Sequence, residues 1–439
     1  MKFYQRKWFW AIFILVFSVV LARHFKVDIH DEGFGRGWYY GDAHSEKNVE
    51  SASRYYLEHG FTKNSGLPVY EYNDDNPAND YVYSHYPPLS EWLGGLWANI
   101  LQEYDAVYIG LFPLLLSVLL FFLIYKILGE FLQEPRAAFI GASLLVLSNY
   151  FICWADDIHQ HLYIELLKWL FVYGWWMYLK TEKKNLLIYF LLCLSYFAMC
   201  LLSYETYVYT AIIVVGFSFV IRKQVFRLDV FVLLLVPVLA FSLRLYVNYL
   251  YFGSWDAMVS DMYNAMLERT VGGGSKQNEL GRAMTLHDYI WLLPKTRLHR
   301  LGHFYIFPSF VIIGLGILGF LQVKKKSAQL FKIVLVVYLA SLSWLFVMPQ
   351  HALIHIFTLR HIGLFLGLVL GYGILRYKEM IITHYREKKY IYMTLHSVVL
   401  GYSFLYAMIN TFYFVYLCFG WAYPSFGTHK YELINQFLF

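Results

Sequence analysis

Eleven apolar runs, most of them near the roughly 20 residues that cross a hydrocarbon core, constrain this 439-residue chain more than any motif does. They begin near Trp8, Tyr104, Arg136, Leu162, Asn185, Thr206, Asp229, Phe304, Leu330, Thr358 and Tyr390. With 59% hydrophobic and only 15% charged residues, the composition excludes an ordinary soluble domain. The expected fold is an all-α polytopic membrane protein, one integral membrane domain over residues 1–439, with short juxtamembrane helices in a large outward first loop. The four cysteines, Cys153, Cys193, Cys200 and Cys418, lie in or beside apolar runs and show no paired spacing, which argues against redox chemistry or a zinc site.

Basic residues set the orientation. Lys2, Arg6 and Lys7, Lys126 and Arg136, Lys180, Lys183 and Lys184, Arg222, Lys223 and Arg227, Lys324 to Lys326, and the run from Arg376 to Lys389 fall on alternate linkers. Such residues accumulate on the cytoplasmic side, so the N-terminus is expected there and the first long loop outside, in a bacterial or archaeal cytoplasmic membrane. The net charge of +6 reflects this bias, and no basic, aromatic-interleaved soluble segment points to nucleic acid. Trp8, Phe9 and Trp10 make the first run an interfacial anchor rather than a cleaved leader, whose small-residue cleavage pattern is poor here.

Five segments then share the outer face: residues 25–103, 154–161, 203–205, 252–303 and 349–361. The ionisable residues gather in them, and ionisable groups at membrane boundaries tend to mark function. In the first loop, Val49 to His59 reads as a helix with Gly60 as its C-terminal cap. Asp42, His44 and Glu46 then stand just ahead of a helix N-terminus, where acids are stabilised and anions are welcome; capping or solvation would explain either acid alone. Pro87 and Pro88 stiffen the re-entry into the membrane, holding His85 and Tyr86 at the interface.

In the second segment, a helix opening there would put Asp157 and His161 on one face and Asp156 near His159. Three readings stay open for these residues: a divalent metal held by Asp157 and His161, hydrogen bonding to substrate hydroxyls or phosphate, and helix capping. Glu205 marks the third segment. In the last, His351 and His355 share a helical face and Arg360 offers a cationic fork suited to phosphate. Arg244, near the outer end of its span, reads either as a further phosphate contact or as a snorkelling arginine. Residues 272–276, Gly-Gly-Gly-Ser-Lys, lack the spacing and setting of a phosphate loop and read as a linker. The stretch His287 to Leu301, with Leu286, Ile290, Leu293 and Leu301 beside Lys295, Arg297 and Arg300, suits an interfacial lid helix.

These residues resemble the C-type membrane glycosyltransferases, including the protein O-mannosyltransferases and lipid A aminoarabinose transferases. Asp31-Glu32 is similar to the acidic pair after the first span of that superfamily, Gly41-Asp42-Ala43-His44 followed by the 52–60 stretch to its acid, helix and glycine pattern, and His85-Tyr86-Pro87-Pro88-Leu89 to the element closing its first loop. The resemblance implies inverting transfer of a sugar from a polyprenyl phosphate or diphosphate donor to an acceptor hydroxyl of a glycan, lipid or protein. It implies an acid base in the first loop, with Asp42 ahead of Asp31 and then Glu46 and Glu32, and hydrogen-bonding or cationic groups at the leaving phosphate. Membrane lipids surround the whole, and no cofactor is required beyond the metal left open above. A lipid-linked polysaccharide polymerase or ligase would more often carry its large loop late in the chain. A transporter would predict internal repeats and charges near the bilayer middle.

Overall fold

The computed structural model describes residues 7–26, 43–72, 80–181, 185–270 and 284–418. Helix α1 (Lys7–Lys26) is followed by α2 (Ala43–His59), a two-stranded antiparallel hairpin of β1 (Val69–Glu71) and β2 (Tyr81–Val82), and α3 (Leu89–Leu101). Helices α4 (Ala106–Ile109), α5 (Leu111–Leu132), α6 (Pro135–Val146), α7 (Asn149–Ile152), α8 (Gln160–Lys180), α9 (Leu186–Leu202) and α10 (Glu205–Phe217) build the first half of the bundle. The second half comprises α11 (Leu228–Phe252), α12 (Trp255–Thr270), α13 (Leu293–Tyr305), α14 (Ser309–Lys326), α15 (Ala328–Val347), α16 (Pro349–Ile354), α17 (Gly363–Arg386) and α18 (Tyr390–Cys418).

All eleven apolar runs are helical, but they differ in reach. Among the described residues seven helices are long and apolar enough to cross a membrane, or eight if Asp288–Tyr305 and Ser309–Lys326, bent by 85°, count as one span. The expected eleven spans exceed that number because α6 has 12 residues, α9 has 17, and α8 carries Glu165 and Lys168 within its length.

Helix α17 is the axis of the bundle. The span Phe357–Arg386 that contains it is 83% buried over its most apolar window, and α6 and α14 lie along it on opposite sides. Gly363, Gly367 and Gly371 recur every fourth residue, a spacing that lets membrane helices approach to backbone contact. A methyl group at Gly371 would run into the carbonyl of Ala137 on α6, and one at Gly373 into that of Leu315 on α14. The close approach replaces side-chain interdigitation with direct backbone packing, so the frame is rigid where it meets the polar site above it.

The loops sort to the two ends of the bundle. At one end Tyr86 meets Ser203, Ser84 meets Arg244 and Asp261, Arg300 meets Leu353, His361 meets Glu205, and Arg360 meets His161. The five segments read as outward therefore converge. At the other end the basic linkers meet one another's elements, with Lys326 on Glu134 at 3.3 Å and Arg222 on the carbonyl of Thr181 at 2.7 Å.

Substituting Gly371 with valine is expected to destabilise the protein by about 1–3 kcal/mol through overpacking, seen as a lower melting temperature in detergent. Gly401, with open space around it, should accept alanine without a measurable shift.

Candidate active site

The first loop folds as a small module on top of the bundle. Helix α2 starts at Ala43, earlier than the expected Val49, so Glu46 falls in its first turn and is buried at 1% exposure. Gly60 ends the helix at φ 78° and donates its N–H to the carbonyl of Tyr56 at 3.0 Å, as the cap reading required. Gly94 and Gly95 leave α3 bare where Val49, Ser53 and Tyr56 of α2 press on it. The Trp92 indole and the Tyr56 hydroxyl both donate to the Gly66 carbonyl, at 2.6 and 3.0 Å, closing the intervening turn. Glu91 lies beneath this module, accepting from Tyr70 at 2.9 Å and Ser90 at 2.7 Å. Burial raises its pKa despite those bonds.

The proline-rich re-entry is held by the second long loop. Arg244 is buried and donates to the Ser84 carbonyl, which also takes Asn248 Nδ2 at 3.1 Å. Buried rather than snorkelling, its guanidinium fixes the backbone just before His85. Asp261 of α12 accepts from Ser84 Oγ at 2.6 Å and from His85 Nε2 at 2.8 Å. Burial works to raise the Asp261 carboxyl, but the hydrogen bonds from His85 and Ser84 and the charge of Arg244 outweigh it and hold the group below the ordinary 3.8. The Tyr86 hydroxyl pairs with Ser203 Oγ at 2.9 Å, at the mouth of α10.

The second outward segment is structural. Asp156 is buried in a salt bridge with Arg23 of α1, and His24 Nδ1 lies 3.1 Å from its Oδ2. The other nitrogen of His24 faces the Val107 carbonyl at 3.0 Å. The trio ties α1 to this turn. Asp157 precedes α8 instead of sharing a helical face with His161, and its carboxylate accepts the backbone amides of His159 at 3.3 Å and His161 at 3.0 Å. Of the three readings, capping is the one this geometry supports. The Asp157 and His161 side chains do not fit a metal pair, since the carboxylate is spent on amides and His161 Nδ1 faces the guanidinium of Arg360. Among the described residues no group of three or more His, Cys, Asp or Glu could hold a metal ion.

Beneath the first loop lies a buried ion cluster that joins three of the outward segments. Glu165 and Lys168, one turn apart on α8, pair with each other. Glu205 opens α10 and pairs with His361. Arg360 sits between them, its Nε 3.8 Å from Glu165 and its Nη2 3.9 Å from Glu205. Tyr150 donates to Glu165 at 2.6 Å and accepts from the Trp169 indole at 2.9 Å. His351 receives the Trp344 indole N–H at 3.1 Å on the nitrogen that lies 3.7 Å from Glu205, which fixes that nitrogen as unprotonated. His355 stacks on Phe357 at 4.8 Å, and His159 lies edge-on to His161 at 5.1 Å.

Arg297 enters the same cluster from α13. It shares an inward face with Leu293 and Leu301, whereas Leu286 and Ile290 are exposed. The polar and apolar sides of the interfacial helix are therefore partly exchanged relative to expectation. One Arg297 nitrogen donates to Thr358, but Nε and Nη1 have no hydrogen-bond partner among the described residues. Among the described residues, Lys168, Arg297 and Arg360 gather around Glu165 and Glu205 in this cluster.

The structure thus brings together His161, Glu205, His351, His355 and Arg360, and places Tyr86 beside Ser203, next to Glu205, and His85 on Asp261. Asp31, Glu32 and Asp42, the side chain of His44 and the Gly272–Lys276 linker lie outside the described residues. Glu165, Lys168, Arg297 and Asp261 were not singled out as site residues. For Glu165 and Lys168 a signal existed, namely charges interrupting an apolar run.

No protein-family model matches the sequence, and no curated protein does. Solved structures do. ArnT from Cupriavidus metallidurans bound to undecaprenyl phosphate superposes over 84% of this chain and 63% of its own, with a TM-score of 0.52 at 11% identity. The archaeal oligosaccharyltransferase AglB from Archaeoglobus fulgidus, in complex with an inhibitory peptide and a dolichol phosphate, matches over 95% of this chain and 56% of its own, with a TM-score of 0.48 at 11% identity. The chain thus shares its fold with ArnT. The chain spans less than two thirds of the length of either protein.

Replacing Asp261 with asparagine should loosen the re-entry, read as faster amide exchange across 80–88 and 255–265. Because the Asp261 pKa is depressed on folding, its contribution is present above the unfolded value of 3.8 and is lost as pH falls through the lower folded value. The difference between wild type and Asp261→Asn should accordingly vanish in acid below that range and persist at neutral pH.

Proposed function

We propose that this protein is a membrane glycosyltransferase that moves a sugar, with inversion, from a polyprenyl phosphate or diphosphate to an acceptor hydroxyl at the outer face of a bacterial or archaeal cytoplasmic membrane. The observation that carries the reading is the buried Arg297, whose Nε and Nη1 have no hydrogen-bond partner among the described residues, standing in the cluster of Lys168, Glu165, Glu205 and Arg360 in a fold shared with ArnT. Buried guanidinium nitrogens without a partner are costly unless an anion meets them, and a phosphate that gains charge as its bond to the sugar breaks is the anion such a site stabilises best.

The acceptor oxygen attacks the anomeric carbon while the bond from that carbon to the phosphate oxygen breaks. A first-loop carboxylate takes the hydroxyl proton, and the phosphate departs with the bonding pair. Asp42 is the favoured base. It immediately precedes Ala43, where α2 begins, and the positive end of that helix would keep its carboxylate ionised. Asp31, Glu32 and Glu46 follow it, Glu46 being disfavoured by burial. Arg297 and Arg360 hold the phosphate, and the apolar helix faces below receive the polyprenyl tail. The acceptor is a glycan, lipid or protein.

Native mass spectrometry of the gently solubilised protein tests this. A polyprenyl phosphate or its sugar adduct should co-purify, and the adduct should accumulate in Asp42→Asn, where donor binds but the proton cannot leave. Arg360→Ala should retain the lipid poorly and lower transfer by about 100-fold or more, and Arg360→Lys should recover only part because one ammonium cannot span the same partners. Recovery of bulk phospholipid or a soluble solute alone would favour a transporter, for which the charges of Glu165 and Lys168 inside α8 are the relevant feature. Recovery of a lipid-linked polysaccharide would favour a polymerase or ligase.

A further inference from the structure

At the end of the bundle opposite the ion cluster, a cavity of about 300 Å³ opens between α6, α14 and α17. Arg136, Lys326, Arg376 and Lys378 line it together with Glu134 and Glu379. Lys326 pairs with Glu134 at 3.3 Å and Arg376 with Glu379 at 3.0 Å. Four cations meet two acids, and both acids are engaged. Arg136 and Lys378 have no ion pair or hydrogen bond within the protein among the described residues, so the cavity keeps a surplus of two positive charges on them.

Its walls are not uniformly polar. Leu375 and Ile382 of α17 line it beside Tyr372, whose ring lies 5.6 Å from the Lys326 ammonium and whose hydroxyl is spent on the Leu132 carbonyl. On α14, Leu318 lies one turn below the lining residue Gln322 and continues the same face toward the membrane interior. Arg136 also stands in the first turn of α6, whose first amides point outward from the helix end. A cationic pocket that turns apolar toward the bilayer suits a ligand with an anionic head and an apolar continuation. A free phosphate would make no use of the apolar wall.

We propose that this cavity is a binding site for the phosphate headgroup of an anionic phospholipid, on the membrane face that carries the basic linkers. Arg136 and Lys378 supply the charge, Lys326 is held in place by Glu134 and Tyr372, and Leu375 and Leu318, on the membrane side of these charges, receive the first methylenes of an acyl chain. The site lies at the far end of the bundle from the glycosyl-transfer site and does not depend on that reading. It anchors α6, α14 and α17 at the end where the glycine seam closes.

The test is native mass spectrometry of the full chain from nanodiscs of phosphatidylcholine doped with phosphatidylglycerol. The wild type should retain phosphatidylglycerol over phosphatidylcholine, and Arg136→Gln with Lys378→Gln should cut that preference by about tenfold or more. The charge-keeping pair Arg136→Lys and Lys378→Arg should preserve it, which separates loss of the site from loss of the fold. Lys223→Gln with Lys388→Gln, basic positions outside the cavity, should also leave it unchanged. The proposal is overturned if those outer substitutions reduce retention as much, if the double glutamine variant retains the lipid fully, or if millimolar inorganic phosphate displaces it.

Discussion

Arg360 is the group on which the polar interior depends. A guanidinium buried to 1% exposure pays several kcal/mol in lost hydration unless partners surround it. Those partners come from three places: Glu165 and His161 on α8, Glu205 at the start of α10, and the short helical turns around Arg360 itself. None of the three can move independently without leaving a buried charge uncompensated. The fork shape of arginine matters here, since one ammonium could not reach an imidazole and two carboxylates at once.

That constraint propagates upward. Glu205 is fixed by His361 and Arg360, so the Ser203 turn beside it is fixed, and Ser203 holds Tyr86. The neighbouring Ser84 and His85 are held from the other side by Arg244, Asn248 and Asp261. The re-entry is thereby clamped between the two halves of the bundle, and the α2–α3 module follows it as a rigid body. Below, backbone contact of α17 with α6 and α14 removes the slack that larger side chains would introduce. Such a clamp holds the polar groups at this end of the bundle in a fixed geometry, as a preorganised site requires.

Several elements were readable because their signals are local. Gly60 as a cap, Pro87 and Pro88 at the re-entry and the charge bias of alternate linkers each act over a few residues, and the structure realises the cap and the convergence of the outward segments. Asp156 and Arg244 were legible as unusual, but their partners lie 133 and 160 residues away, so a local reading could not distinguish ligand binding from structural pairing. The burial of Arg297 is not legible from an interfacial pattern, because periodicity reports which residues share a face and a buried cation with polar partners obeys the same period as a leucine. Glu165 and Lys168 are hidden in the sequence because the apolar residues around them dominate the average of the span.

The sequence by itself determined that this chain lives in a membrane, that its regular structure is helical, and which loops share a side. Those properties follow from burial of apolar length, from the need to satisfy backbone hydrogen bonds in lipid, and from the sidedness of lysine and arginine. Only the tertiary structure decided that Glu165, Lys168, Glu205, Arg297 and Arg360 form one cluster, that Asp156 and Arg244 serve the scaffold, and that α12 holds the proline re-entry. The physical reason is range. Hydropathy and charge bias sum over neighbours in the chain, whereas a buried ion is stabilised or ruined by groups a few ångströms away in space that can stand anywhere in the sequence.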